Sequence, residues 1–184
     1  FFLISCFLVT TITKAQTKDI SLEDIWDGSF RTERMDALHS MKNGQQYSVL
    51  NFDREAGSTA IEVFDYKTLS KVKTLVSSTD MEAIQYFTDY TFSKDENKIL
   101  LATEEEPIFR RSTFGKYYVY NVSEKSLHNI ADYKIQEPTF SPNGKYVAYG
   151  YNNNLYVKNL ETNDLIQLTT DGKKNEIING ITDW

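Results

Sequence analysis

A phrase that returns sets the tightest bound on how this chain can fold. The stretch from Thr139 to Gly172, TFSPNGKYVAYGYNNNLYVKNLETNDLIQLTTDG, is a series of short apolar runs separated by turn residues. Its opening recurs twice upstream: Phe92-Ser93 stands about 48 residues ahead of Phe140-Ser141, and Asn43-Gly44 about 100 ahead of Asn143-Gly144. Asn-Gly between apolar runs is a strong short-range hairpin signal, and Asn152-Asn153-Asn154 marks a second turn before Leu155-Tyr156-Val157. Leu165 to Leu168 supplies a fourth strand.

Four strands repeated at this period form a unit that cannot bury both faces of its sheet without a neighbour, which is the signature of a β-propeller blade. The expected fold is therefore all-β, a partial β-propeller of about three four-stranded blades in Ser40–Val76, Thr91–Ile130 and Thr139–Gly172. A fourth blade is expected to open in Leu168–Trp184, with Trp184 as one of its strand residues. Propellers close with roughly four to eight blades, so this arc by itself leaves sheet faces and strand edges open. On its own it is expected to aggregate or stay partly disordered.

Two short segments precede the repeats. Residues 1–15 begin with the continuous apolar run Phe1 to Val9 and reach a small residue at Ala15. That is the pattern of a secretory signal peptide truncated at its start, with cleavage after Ala15, and it is too short for a stable membrane anchor. Cys6 lies within the apolar run rather than closing it, against a lipoprotein signal. Residues 16–34 read as a short helix and linker, because Ser21 with Asp24 makes a capping pair and Gly28 ends the run Leu22 to Asp27. Residues 35–184 are the propeller part, and export implies a periplasmic or secreted protein.

Cys6 is the single cysteine, so the exported part is expected to carry neither disulfide nor thiol chemistry. The formal charge of −6 becomes more negative once Lys14 leaves with the signal, which argues against nucleic acid or an anionic membrane as partner. The sequence has no G-x-S-x-G, P-loop, C-x-x-C or H-E-x-x-H motif, and neither His39 nor His128 has a second metal ligand at helical or strand spacing. No catalytic, metal or cofactor constellation can be assembled from these residues. Glu104-Glu105-Glu106 before Pro107 reads as a solvated loop turning the first hairpin of the second blade. Arg110 and Arg111 follow Phe109 in the same loop; such a pair is most often solvated surface, but a guanidinium fork is also a directed binder of anions and carbonyls.

NGITDW after a loop containing Asp-Gly, the blade phrase FSPNGKYVAY, NNNLYVKNL, and an upstream FRRSTFGKYYVYN occur here in one order. Together they resemble the N-terminal propeller of the dipeptidyl peptidase IV family of serine exopeptidases, over essentially the whole chain from Ser21. The resemblance implies a C-terminal α/β-hydrolase domain, outside this sequence, that carries the Ser, Asp and His triad. It implies release of dipeptides from peptides with a free N-terminus and Pro, or less well Ala, in second position. It also implies a Glu pair just after the Thr-Asp-Trp phrase that binds the substrate ammonium, and a homodimer when full length. No cofactor is expected, and cleavage of the signal in residues 1–15 is expected to leave no membrane anchor in the mature form.

One implied site falls inside the chain. The family's aromatic-R-H-S-Y pattern, whose Arg donates to the carbonyl of the substrate's first residue, matches Phe109-Arg110-Arg111-Ser112-Thr113 and assigns substrate binding to Arg110. The chain departs from the pattern at Arg111, where His is usual, and at Thr113, where Tyr is usual, which keeps Arg111 as the neighbouring register. Two other readings share the repeats and export: a non-catalytic periplasmic propeller that binds protein or glycan, and a prolyl tripeptidyl peptidase of the same clan.

Overall fold

The computed structural model describes residues 19–32, 37–108 and 112–181, and the chain divides into two units, residues 1–35 and 36–184. In the first unit α1 (Leu22–Trp26) starts at a complete capping box. Ser21 Oγ accepts from the Asp24 amide at 3.1 Å and the Asp24 carboxylate accepts from the Ser21 amide at 3.2 Å, which satisfies two donors that a helix start leaves open. Gly28 follows at φ +87°, where a side chain would be strained. The expected signal peptide, residues 1–15, lies outside the described residues. Among the described residues no helix is long and apolar enough to cross a membrane.

The second unit is all-β. Strands β1 (Leu38–Ser40), β2 (Gln46–Asp53), β3 (Ser58–Asp65) and β4 (Lys71–Ser77) form the first sheet. The second is β5 (Asp89–Phe92), β6 (Lys98–Pro107), β7 (Thr113–Asn121) and β8 (Ser126–Asn129), and the third is β9 (Gln136–Phe140), β10 (Tyr146–Tyr151), β11 (Asn154–Asn159) and β12 (Leu165–Gln167). Each sheet is an antiparallel meander in chain order, so the chain forms three successive blades of a partial β-propeller.

The turns repeat with the strands. Between first and second strands the same connection recurs at residues 41–45, 93–97 and 141–145, with Met41, Ser93 and Ser141 each accepting from the amide three residues on. Those three residues are Gly44, Glu96 and Gly144, at φ +68°, +60° and +66°. Asn-Gly suits two of the turns because glycine adopts this left-handed region without the cost of about 1 kcal/mol or more that Glu96 bears. A second recurring turn joins third to fourth strands. Asp65, Asn121 and Asn159 each accept at Oδ1 from the amides two and three residues on, and Leu69, Lys125 and Asn163 then take positive φ.

Blades bury one another's faces, and β6 shows how. Ile99 and Leu101 point into a cluster with Ile61, Val76, Phe87 and Tyr90 against the first blade. Leu100 and Ala102 point the other way, into a cluster with Tyr117, Val119, Ile135, Val147 and Tyr149 against the third. Alternate residues of a strand face opposite sides of its sheet, so a strand covered on both sides is continuously apolar, as Ile99 to Ala102 is. Each of the isoleucines and leucines contributes about 1.5–3 kcal/mol when fully buried. Polar staples cross the first seam: Ser48 Oγ and Tyr90 OH lie 2.8 Å apart, and Thr59 Oγ1 accepts from the Phe87 amide at 2.8 Å.

After β12, where a fourth blade is expected to open, the described residues 168–181 carry one isolated bridge, Lys173 to Ile177, and fold back on the third blade. Asn154 Oδ1 accepts from Thr169 Oγ1 at 3.1 Å and from the Gly172 amide at 2.9 Å, and the Asn153 carbonyl accepts from the Asn179 amide at 3.0 Å. Gly150 leaves room for Ile181, since a Cβ there would stand 2.2 Å from Ile181 Cδ1. Trp184 lies outside the described residues.

Candidate functional site

The candidate site is built on the β6–β7 hairpin. Within the blade this ribbon is flanked on both sides, by β5 as far as the Asp89–Ala102 pair and by β8 from the Tyr118–Asn129 pair onward. Beyond those pairs Thr103–Pro107 and Thr113–Tyr117 run on as a projection about 16 Å long at the usual rise per residue, flanked by neither β5 nor β8 but paired at Gly115 with Ile135. The last described rung is the Ile108 amide donating to the Ser112 carbonyl at 2.8 Å. Phe109, Arg110 and Arg111 lie between these two residues in the chain and outside the described residues, and so does the assignment of substrate binding to Arg110.

The projection starts at a bulge. Thr103 pairs with Lys116 and Glu106 with Phe114, so Glu104 and Glu105 together oppose Gly115, and Glu104 takes φ +50°. A bulge bends its strand and re-aims the residues beyond it. Gly115 is held on its other side by the blade's outgoing connection, donating to the Ile135 carbonyl at 3.1 Å and accepting from the Ile135 amide at 2.9 Å.

The acidic run is therefore not the solvated loop expected from sequence. It belongs to strand β6, on the second hairpin of the blade, and the first hairpin turns earlier, at residues 93–97. The misleading signal was the run of three charges. The correct one was the continuous apolar run Ile99 to Ala102, which marks a strand covered on both faces, followed by the alternating return Thr113 to Asn121. Glu104 pairs with Lys116 at 3.0 Å and Glu106 with Lys134 at 2.7 Å, both toward solvent. Glu105 is half-buried and turns inward, accepting from Thr88 Oγ1 and, at 3.3 Å, from Thr113 Oγ1.

Beside this root lies a small cavity of about 200 Å³ lined by Asp89, Tyr90, Glu105, Thr113, Tyr117 and Glu137. Burial pushes the Tyr117 phenol above its ordinary value, the hydrogen bond with Thr113 opposes that, and the carboxylates of Glu105, Glu137 and Asp89 add to it. Three carboxylates, Asp89, Glu105 and Glu137, thus share the lining of this cavity. His39 and His128 are both exposed, on β1 and β8, and His39 lies against Tyr90 with ring centroids 4.6 Å apart. Among the described residues no group of three His, Cys, Asp or Glu is placed to hold a metal.

The family model described as "Dipeptidyl peptidase IV (DPP IV) N-terminal region" matches residues 93–184, which include all of this hairpin and the third blade. The chain belongs to this family. A solved structure, that of Porphyromonas gingivalis dipeptidyl peptidase 4, superposes with a TM-score of 0.78 at 32% identity, covering 92% of this chain and 24% of that one. Among curated relatives, prolyl endopeptidase FAP of Bos taurus is 28% identical over 93% of this chain and 22% of its own length. A probable dipeptidyl-aminopeptidase B of Neurospora crassa is 25% identical over 95% of this chain and 20% of its own. The chain thus spans about a fifth of the curated relatives it matches. In this DPP IV N-terminal region, the projecting hairpin is the element that carries the pattern Phe109-Arg110-Arg111-Ser112-Thr113.

Proposed function

We propose that the protein carrying this chain is an exported serine dipeptidyl peptidase that removes N-terminal dipeptides with Pro or Ala in second position, and that Arg110 binds its substrate. The observation that carries the reading is the family match over residues 93–184, which spans a hairpin running past its blade with Phe109-Arg110-Arg111 between its strands. A guanidinium can direct several donors at the carbonyl of the substrate's first residue, and fixing that oxygen orients the scissile bond. A downstream Glu pair would neutralise the substrate ammonium, and the triad Ser of a hydrolase domain would attack the second carbonyl. On this reading the enzyme works outside the cytoplasm, as a homodimer, on peptides with a free N-terminus.

The test is Arg110→Ala in the full-length enzyme, assayed on an Ala-Pro reporter with a free amine. The value of kcat/KM is expected to fall about ten- to a hundredfold, as for lost orientation of a bound substrate, and an unchanged value removes Arg110 from the site. The mass of the fragment released from a longer peptide separates dipeptide from tripeptide release. No release from any free N-terminus would replace the enzyme by a binding propeller.

A further inference from the structure

We propose that the wedge between the last strands of the first and second blades is a binding site for a short zwitterionic peptide with large apolar side chains. The inference concerns binding alone and stands apart from the catalytic reading, since it holds or fails whether or not the protein releases dipeptides. Most of the seam between these blades is closed by Ile61, Phe87, Tyr90, Ile99 and Leu101, all buried. Toward β4, the 3-10 turn Ser78–Asp80 that follows it, and β7 with β8, the two sheets part and leave a cavity of about 830 Å³. That volume lies in the range of small-molecule sites, about 300–1,000 Å³.

The cavity has an apolar floor made by Leu75, Val76, Met81 and Leu127. Leu75 is the extra residue of a bulge, because Ile61 pairs with Val76 and Glu62 with Thr74, and a bulge re-aims its side chain, here to join Val76 on the seam side. Tyr118 and Tyr120 stand beside this floor, two residues apart on β7 and both half-buried. Among the described residues neither phenol takes part in a hydrogen bond, although a tyrosine hydroxyl enclosed by protein usually finds a partner. The amide and carbonyl of a bound peptide supply one. Burial raises the Tyr120 phenol above its ordinary value and the Asp80 carboxylate adds to the effect, which sets that carboxylate near the ring's hydroxyl.

Charge decides the class of ligand. Asp80 and Glu82, on the connection from first to second blade, bring carboxylates to the lining, and Lys125, on the turn between β7 and β8, brings an ammonium. Among the described residues the side chain of none of the three is in an ion pair or a hydrogen bond, so opposite charges line one cavity too far apart to neutralise each other. A single amino acid carries both of its charges on one carbon. A dipeptide holds its ammonium and carboxylate about 7 Å apart at the extended reach of the chain, which suits lining groups that cannot meet, and it lays its side chains on the apolar floor.

The experiment is calorimetric titration of the full-length protein with Leu-Leu, compared with N-acetyl-Leu-Leu-amide, which keeps the side chains and loses both charges. Saturable binding of Leu-Leu is expected, weakened about tenfold or more in the capped peptide and in each of Asp80→Lys and Lys125→Glu. Ala83 is exposed on the lining, so Ala83→Trp fills the wedge from a surface position and should abolish binding with thermal unfolding unchanged. Bound Leu-Leu should also slow amide exchange in β4 and β8 of the unmutated protein. Absence of saturable binding overturns the inference, as do capped and free peptides binding alike. Binding unaltered in all three variants, or exchange slowed only outside β4 and β8, puts the peptide at another site and overturns it equally.

Discussion

The second hairpins of the second and third blades start from the same architecture and end differently. In the third blade β10 and β11 turn at once through Asn152 and Asn153, both at positive φ, and the chain after β12 folds over the turn. In the second blade β6 and β7 run on past their flanking strands, bulge, and are held at the root by Glu105. A two-residue turn needing two left-handed residues is met by a pair of asparagines, and its free polar groups are then covered by a segment of the same chain. The hairpin of the second blade is held at its root instead, by Glu105 and by the backbone pair of Gly115 with Ile135.

The most severe test of that contrast lies inside the second hairpin itself. Leu101 is fully buried in the part of β6 that lies within the blade, so Leu101→Ala should cost about 3 kcal/mol and strip amide-exchange protection from β5 to β7 together. If the projecting half lost protection alone, the ribbon would not be anchored in the blade core. Next in size is the covered turn. Asn154→Ala leaves the Gly172 amide without its acceptor, an expected loss of about 1–2 kcal/mol confined to residues 168–181 and seen as local exchange or proteolysis while β10 and β11 stay protected. The smallest effect belongs to the rim of the projection: Glu106→Ala removes an exposed pair with Lys134 worth at most about 0.5 kcal/mol and should leave thermal unfolding and kcat/KM unchanged. A large loss there would move the bracing from Glu105 to the rim.

Much of this architecture was legible residue by residue. The capping pair Ser21 and Asp24 states its own hydrogen bonds, and Asn43-Gly44 and Asn143-Gly144 announce turns whose third copy, Asp95-Glu96, is disguised because a glutamate occupies the glycine position. The turn begun by Asp65, Asn121 and Asn159 was equally visible in spacing but lies in a less familiar pattern. Three adjacent glutamates looked like a loop because charge in a row usually means solvent, yet a strand alternates its faces, and the middle one of the three points inward while its neighbours point out.

The all-β repeat, the strand order within each blade and the Asn-Gly turns of the first and third blades are written in the sequence alone, because they depend on interactions between near neighbours in the chain. Three outcomes needed the folded molecule: where the blades stop covering the second hairpin, which carboxylate turns inward at its root, and which turn the chain after β12 comes back to cover. They depend on strands ending at different heights and on contacts such as Glu105 with Thr88 and Gly172 with Asn154, made between segments that no local pattern brings together.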